Sequence, residues 1–329
     1  MPPSGLWRVM RGASVFQRVV SAACAGAIML AGAAVCEEAP NVPRPDFPRA
    51  QVIPQPNDEL SFQLDGREVL RYHCGAGVMR PYFYPVIGPS GRPVTRIGHP
   101  HDPFSHRHHL SLWIGHQDVN GRNFWEFSPT AGRIVLDRIV KIDDGDRAAL
   151  TIRGVWQDDK KTALLTDDRV WTFVPRDDAP GEFFLDLDLT LTPPDQPVTL
   201  GKTHFGLLAV RVAKTMGVND GGGKITNSEG KVGEKDVLWQ PARWCDYSGP
   251  AAPGGVVNGI TIFDHPRNHG HPTHFHVRSD GWMGASLTEA GALDIQKQQP
   301  LNLRYRLWVH SGPCDPKQTD AQWERWAGK

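Results

Sequence analysis

Eleven of the 14 histidines lie in two short windows of the sequence. Neutral imidazole is the commonest metal ligand in proteins, and its charge changes most easily near neutral pH. Because one shared site is the simplest explanation for two clusters of one residue type, we predict that the windows meet in space. Residues 99–116 and 265–276 contain, in order, His99, His101, His106, His108, His109 and His116, then His265, His269, His271, His274 and His276.

Histidine pairs separated by one residue occur in both windows. In an extended chain, residues i and i+2 project from the same face, so His106/His108 and His274/His276 can each direct two rings at one point. Such pairs suit Zn²⁺ or a similar divalent metal. His106 and His108 are therefore the candidate metal ligands. The same spacing also suits acid–base chemistry without a metal, or loop histidines that only form hydrogen bonds, and these alternatives stay open.

Four histidines are the candidates for proton transfer: His109, His116, His204 and His276. Asp118 follows His116 closely, and a carboxylate there can orient an imidazole or act as the partner acid or base. The alternative explanation for Asp118 is a simple turn over residues 118–121.

Cationic and aromatic side chains complete the predicted site. Arg211, Arg243 and Arg278 are candidates for holding a carboxylate or a developing oxyanion. Tryptophans in sandwich proteins usually fill the core, but exposed rings stack on sugar faces. Trp113 and Trp244 lie inside polar motifs, and Trp113 is the candidate for binding substrate.

The elements that must position these residues are predicted to be strands. Leucines at 185, 187, 189 and 191 alternate with polar residues, and residues 301–309 repeat the pattern. This period of two places one face in a core and the other toward solvent or a ligand. Asp65-Gly66 and the segment 143–146 carry the turn chemistry of β-hairpins. No helical patterns intervene as parallel strands would need, so we predict an all-β, antiparallel sandwich.

Composition excludes several other classes of protein. The 28 prolines and 34 glycines disfavour a helical bundle. The 36 basic and 36 acidic residues give a formal net charge of zero, which disfavours a nucleic-acid partner. A short C-terminal helix is predicted where Thr319-Asp320-Ala321-Gln322 fits a capping box.

The N-terminal residues are predicted to be a targeting segment. Three arginines precede an apolar stretch over residues 19–33, so residues 1–36 are read as a signal peptide and the protein as exported to the periplasm or beyond. A retained anchor is the alternative. Residues 37–57 are predicted to be a proline-rich extended lead-in, and 58–329 a single sandwich domain without a transmembrane span. Beyond the signal, Cys74, Cys245 and Cys314 allow at most one disulfide.

The motifs together resemble a known family. Residues 106–113, HRHHLSLW, followed by GH at 115–116, DVNG at 118–121 and FW at 124–125, resemble the signature of the bacterial PmoA-like family of secreted proteins, often labelled "methane oxygenase". The motifs RWCDYSG at 243–249, DHP at 264–266 and HVR at 276–278 also match, and the likeness covers about residues 58–313. The chain departs from the pattern at Ser105, Arg107 and Leu110, where Asp, Pro and Arg are more usual.

This resemblance implies a galactose mutarotase-like supersandwich and a place in bacterial sugar degradation. Its motifs add Asn120, Asp246, His265 and Asn268 to the candidate substrate-binding residues. We therefore expect a carbohydrate-active enzyme that acts on a sugar or oxidised-sugar glycoside by elimination, hydrolysis or epimerisation. The alternatives are a non-catalytic carbohydrate-binding sandwich and, from the family label, a metal-dependent oxygenase.

Overall fold

Tight turns set the register of neighbouring strands. Asp65 and Gly66 have φ angles of 49° and 76° and join strands Glu59–Leu64 and Arg67–His73. Two successive positive φ angles give a turn whose twist matches that of the paired strands. The predicted hairpin is confirmed, as is the second one, formed by Arg133–Asp143 and Ala148–Gln157.

The structure is a computed structural model that describes residues 47–328. Strands dominate these residues, and we number the elements in chain order. The strands are β1 (Ala50–Gln55), β2 (Glu59–Leu64), β3 (Arg67–His73), β4 (Tyr82–Val86), β5 (Leu112–His116), β6 (Arg133–Asp143), β7 (Ala148–Gln157), β8 (Ala163–Pro175), β9 (Phe183–Thr192), β10 (Val198–Leu200), β11 (Gly206–Arg211), β12 (Lys224–Asn227), β13 (Gln240–Pro241), β14 (Trp244–Ala252), β15 (Val256–Asp264), β16 (His274–Arg278), β17 (Trp282–Ser286), β18 (Leu293–Ile295) and β19 (Leu301–Ser311). The α-helices are α1 (Val218–Gly221), α2 (Glu234–Val237) and α3 (Pro316–Ala327), and 3₁₀ turns span Lys214–Met216 and Pro253–Gly255.

Two large antiparallel sheets pack face to face. One has nine strands in the order β1-β2-β3-β4-β5-β11-β17-β16-β13, and the other has eight in the order β12-β14-β15-β19-β9-β8-β7-β6. Strands β10 and β18 form a separate pair. Buried side chains from the facing sides of both large sheets form one continuous core. The predicted all-β antiparallel sandwich is therefore confirmed.

The alternating strands divide their side chains as predicted, with one difference. Leu303, Tyr305 and Leu307 of β19 enter the core between the sheets. On the opposite face of β19, Trp308 and His310 are also buried, because a small cluster around Trp308 lies beneath the C-terminal helix. This face was expected to meet solvent or a ligand: Asn302 is exposed and Arg304 and Arg306 are half-buried, as expected, and only the end at Trp308 and His310 is covered.

The predicted C-terminal helix is confirmed, but it begins earlier than the capping box indicated. Asp315 is the N-cap residue, and its carboxylate accepts hydrogen bonds from the backbone N–H groups of Lys317 and Gln318 at 3.0 and 3.4 Å. Pro316 fills the first helical position, where its missing N–H costs nothing. Thr319 lies inside the helix, and its hydroxyl donates to the Asp315 carbonyl at 2.8 Å.

The sheet begins inside the segment that was predicted to be a lead-in. Strand β1 pairs with β2 along its full length. It is an edge strand, where Pro54 can be accommodated because one side of the strand needs no partner. The sandwich thus starts by Ala50 rather than at 58. The predicted signal peptide, 1–36, lies outside the described residues and stays a prediction.

Two further observations bear on the sequence predictions. Cys74, Cys245 and Cys314 are all free thiols, so the disulfide that the sequence allowed does not form. Across residues 47–328, no helix has the length and apolar character needed to cross a membrane.

Candidate functional site

A cavity of about 490 Å³ lies on the outer face of the nine-stranded sheet. Its position follows from the strand register. Trp113, Ala209, Gly284 and His276 stand side by side across four neighbouring strands, β5, β11, β17 and β16. The two middle residues are small, and the Trp282 ring packs over Gly284, where a Cβ would meet its Cζ2 atom at 2.9 Å. The lining residues are His106, His108, His109, Trp125, Glu126, His204, Phe205, Arg211, Trp239, His276, Arg278, Asp280 and Trp282.

His109 enters the cavity from the loop before β5. Its ring stacks on Trp113 and Trp282, with centroids 5.6 and 5.1 Å away. The buried guanidinium of Arg80 holds the loop in place, because it donates to the backbone carbonyls of His108 and Phe124, each at 2.8 Å. The buried Nδ1 of His109 has no hydrogen-bond partner among the described residues.

Burial keeps three imidazoles of this cavity neutral at neutral pH. Desolvation, with the nearby His204 and the positive charge of Arg278, lowers the pKa of His276 to about 4. Desolvation and the charge of Arg80 lower the pKa of His108 to about 4 as well. The pKa of the more deeply buried His109 is also lowered, again mainly by desolvation. Only the neutral form of an imidazole can accept a proton, and these three residues hold that form at neutral pH, although the lowered pKa makes each a weaker base than a free imidazole.

A second imidazole packs edge-on against His276 in the cavity wall. His204 precedes β11, and its ring centroid lies 5.3 Å from that of His276. Its Nδ1 is 3.3 Å from the Glu289 carboxylate. Trp239 is 44% exposed and lies 5.5 Å from His204, so it offers an open aromatic face at this end of the cavity.

A charged network supports the other end. Asp280 accepts from Arg211 at 2.9 Å and from His99 Nε2 at 2.7 Å. His99 must carry its proton on Nε2, because its Nδ1 already accepts from the backbone N–H groups of His101 and Asp102. Burial alone would raise the pKa of Asp280, but Arg211 and His99 outweigh burial and lower it. The network therefore keeps a carboxylate and a guanidinium charged beside the neutral histidines.

The structure brings seven of the predicted residues into this cavity. From the first window come His106, His108 and His109, and from the second comes His276. His204, Arg211 and Arg278 also line the cavity. The two windows thus meet in space through His276, as predicted, while other histidines of the second window lie elsewhere.

His116, Asp118 and Asn120 are placed outside the cavity, which corrects their predicted position. His116 faces the core side of β5, where Nδ1 accepts from the Asp118 N–H at 3.1 Å and Nε2 donates to the Thr288 hydroxyl at 2.9 Å. The Asp118 carboxylate accepts from the Gly121 N–H at 2.7 Å, and Asn120 Oδ1 accepts from the Thr199 N–H. Residues 118–121 therefore form the turn that was the alternative explanation.

A second group of predicted residues lies on the opposite sheet. Asp246 is fully buried beside His310, at 2.8 Å, and Thr261, at 2.7 Å. Arg243 pairs with Asp320 of α3 at 3.0 Å. The Nε1 of Trp244 donates to the same carboxylate at 2.8 Å, so this ring is not a sugar platform.

The loop after β15 is held by the remaining predicted residues. Asn268 donates to Asp264 and to the Arg304 carbonyl, both at 2.7 Å. The His265 ring packs edge-on against Trp326, 4.9 Å away. These contacts stabilise the loop and the C-terminal helix at a distance from the histidine cavity, because they belong to the other sheet.

The aromatic platform also differs from the prediction. Trp113 is 1% exposed and lies beneath His109, so Trp239 offers the open ring instead. Sequence reasoning missed Trp239, Asp280 and Glu126. Asp280 precedes Gly281-Trp282, which indicates a turn. Nothing in this local sequence indicates that Asp280 pairs with the buried Arg211.

The pair proposed to bind metal lies in the cavity wall. The His106 and His108 ring centroids are 5.8 Å apart, and His106 Nδ1 already contacts the Ser105 hydroxyl at 2.7 Å. Throughout residues 47–328, no group of three or more His, Cys, Asp or Glu side chains has the arrangement of a metal site. Among these residues the two imidazoles have no third protein ligand beside them. Metal binding by this pair stays a prediction.

Together, the fold and the cavity define an all-β sandwich with a histidine- and tryptophan-lined site on the outer face of one sheet. The chain belongs to a family of unknown function, DUF6807, whose model matches residues 59–324. No curated protein matches the sequence.

Two solved structures are distantly similar. A "Putative kojibiose phosphorylase from human microbiome" aligns at 7% identity and a TM-score of 0.32, over 86% of this chain and 37% of that one. A "putative mutarotase (YeaD) from Salmonella typhimurium" aligns at 11% identity and a TM-score of 0.30, over 79% of this chain and 97% of that one. This chain spans little more than a third of the length of the phosphorylase. Both names concern sugars, and at these scores neither carries an argument about this site.

Proposed function

We propose that this protein is an enzyme that binds a carbohydrate in the histidine cavity and moves a proton to or from it. One observation carries the proposal: buried, neutral His109 and His276 line a cavity that also holds an exposed aromatic ring, Trp239, and the cation Arg278. A sugar ring has apolar C–H faces and hydroxyl edges. Trp239 suits the faces, and the imidazoles and Arg278 suit the edges.

The chemistry of the cavity supports proton transfer. His276 is neutral and can act as a general base, and His204, in edge-on contact with it and beside Glu289, can return a proton as the partner acid. Elimination, hydrolysis and epimerisation of a sugar or oxidised-sugar glycoside all need such a pair. An oxyanion formed during any of these reactions would be stabilised by the positive charge of Arg211 and Arg278. A small-molecule carbohydrate is therefore the proposed partner.

The test is a screen of the purified protein against free sugars, glycosides and oxidised glycosides in D₂O, followed by proton NMR. New products report cleavage, and exchange of a C–H hydrogen for deuterium reports proton abstraction. We expect His276→Ala to lower turnover by roughly 10²–10⁴-fold, because one general acid–base group contributes about that much.

A matched control separates chemistry from folding. His265→Ala removes an imidazole whose pKa is likewise lowered to about 4 by burial but which lies by the C-terminal helix. Its turnover should equal that of the parent protein. Sugar binding without any product or exchange would instead identify a non-catalytic carbohydrate-binding sandwich. If no carbohydrate binds, the proposal is wrong.

A further inference from the structure

A second cavity adjoins the histidine cavity. It has a volume of about 590 Å³ and is lined by Phe104, Ser105, His106, Arg107, His108, Glu126 and Phe127. Three of these residues, His106, His108 and Glu126, also line the histidine cavity. The two spaces therefore share one wall, and that wall carries two imidazoles and a carboxylate.

The second cavity has an unusual surface for a soluble protein. Phe104 is 77% exposed and Phe127 is 37% exposed, so two aromatic rings meet water within one recess. Leaving such rings exposed has a cost in free energy that burial against a ligand would remove. The other lining residues are polar or charged, and this composition suits a ring with both an apolar face and hydrogen-bonding edges.

The loop that presents Phe104 is held in shape by its own hydrogen bonds. The Asp102 carboxylate accepts from the backbone N–H groups of Phe104 and Ser105, at 3.0 and 2.9 Å. These bonds, together with one from the Ser105 hydroxyl, lower the pKa of Asp102, so the carboxylate stays ionised and keeps the turn closed. On the other side, the guanidinium carbon of Arg80 lies 5.0 Å from the centre of the Phe127 ring. The turn thus fixes the backbone at Phe104, and Arg80 contacts the Phe127 ring, without a ligand.

We propose that this cavity is a second binding subsite, which holds the ring attached to the reacting sugar. The inference rests on the proposed function, because the sugar itself occupies the histidine cavity. The bond between the two rings would then lie over the shared wall formed by His106, His108 and Glu126. The ligand class is accordingly a glycoside whose second group is a ring with an apolar face, either another pyranose or an aryl group. Substrates that end at the first sugar would leave Phe104 and Phe127 exposed.

Calorimetric titration with matched ligands tests this assignment. Glucose, galactose, mannose and glucuronate are each compared as the methyl glycoside, the phenyl glycoside and a disaccharide. We expect the two-ring ligands to bind at least about threefold more tightly than the methyl glycoside, which is the scale of one aromatic contact. Tighter binding of the phenyl glycosides would identify the second group as an aryl ring, and tighter binding of the disaccharides would identify it as a sugar.

The variants Phe104→Ala and Phe127→Ala should remove this advantage while leaving methyl glycoside binding unchanged. Phe47→Ala is the matched control, because Phe47 is 70% exposed and lies outside both cavities, and it should retain the advantage. If two-ring ligands have no advantage, or keep it in both cavity variants, the second subsite is refuted while methyl glycoside binding still supports the first site. If none of the methyl glycosides, phenyl glycosides and disaccharides binds, both proposals are refuted.

Discussion

His116 offers a quantitative test of the difference between a structural and a catalytic histidine. Its ring is fully buried on the core side of β5, and burial lowers its pKa from 6.5 to about 4. Both nitrogens are used, Nδ1 as an acceptor and Nε2 as a donor. Protonation would place a hydrogen on Nδ1 against the Asp118 N–H. The folded state therefore resists a proton that the unfolded chain accepts.

The sign and size of the pH effect follow from this difference. Between pH 6.5 and 4 the unfolded state binds more protons, so the free energy of unfolding falls as the pH falls. For one group with pKa values of 6.5 unfolded and about 4 folded, the loss between pH 7.5 and pH 5 is about 2 kcal/mol. Other buried histidines add to the total, so a variant must isolate this residue.

The variant His116→Gln provides that isolation. Its amide N–H can replace Nε2–H toward Thr288, but the acceptor for the Asp118 N–H is lost, which costs about 1–3 kcal/mol at neutral pH. Because glutamine does not titrate, the difference in free energy of unfolding between the parent protein and the variant should shrink by about 2 kcal/mol from pH 7.5 to pH 5. Urea unfolding followed by tryptophan fluorescence measures this difference. His269→Gln, at an exposed position, is the control and should show no gap at either pH. A gap for His116→Gln that stays constant with pH would refute the reasoning, and loss of ligand binding by a folded His116→Gln protein would return this residue to the active site.

Three further outcomes are expected. Asp315→Ala removes the N-cap of α3 and should lower the free energy of unfolding by about 1 kcal/mol in urea titrations, whereas Asp315→Asn should be nearly neutral. Trp239→Ala should weaken sugar binding about tenfold, or by about 1.4 kcal/mol, without changing the melting temperature, because this ring is 44% exposed; an unchanged Kd would contradict its role as a platform. Asp246→Asn should destabilise the protein by about 3–5 kcal/mol, because it leaves buried His310 without its charged partner. Burial would lower the pKa of His310, but the charge and hydrogen bond of Asp246 outweigh burial and raise it. The stability from this pair is therefore complete below pH 6.5 and is lost as the pH rises through the raised pKa, so the Asn variant should lose least at high pH. An equal loss at every pH would argue against an ion pair.

Local patterns in the sequence were sufficient to predict the class of fold. The leucine alternation in β9 and the Asp65-Gly66 turn depend on neighbours within a few residues, and the structure confirms both. The C-terminal helix was predicted as well, although Asp315-Pro316 begins it rather than Thr319. Short-range preferences decide such features because side-chain direction and turn geometry repeat over two to four residues.

The membership of the site was only partly predictable. The richness of the two windows in histidine indicated acid–base or metal chemistry, and His109 and His276 do share a cavity. The same reasoning also selected His116, which differs from Trp113 by three positions and therefore points to the other face of β5. A shift of one residue along a strand moves a side chain to the opposite side of the sheet. Composition alone therefore could not separate the histidines that line the cavity from His116.

Tertiary structure decided which strands lie together. Strands β5, β11, β17 and β16 are neighbours in the sheet although they are far apart in the chain, and their register places Ala209 and Gly284 between Trp113 and His276. The sequence by itself determined a sandwich of antiparallel strands and an imidazole-rich chemistry. His109 and His276 line one cavity because segments distant in the chain become neighbours in one sheet, and long-range pairing of this kind leaves no signal in local periodicity.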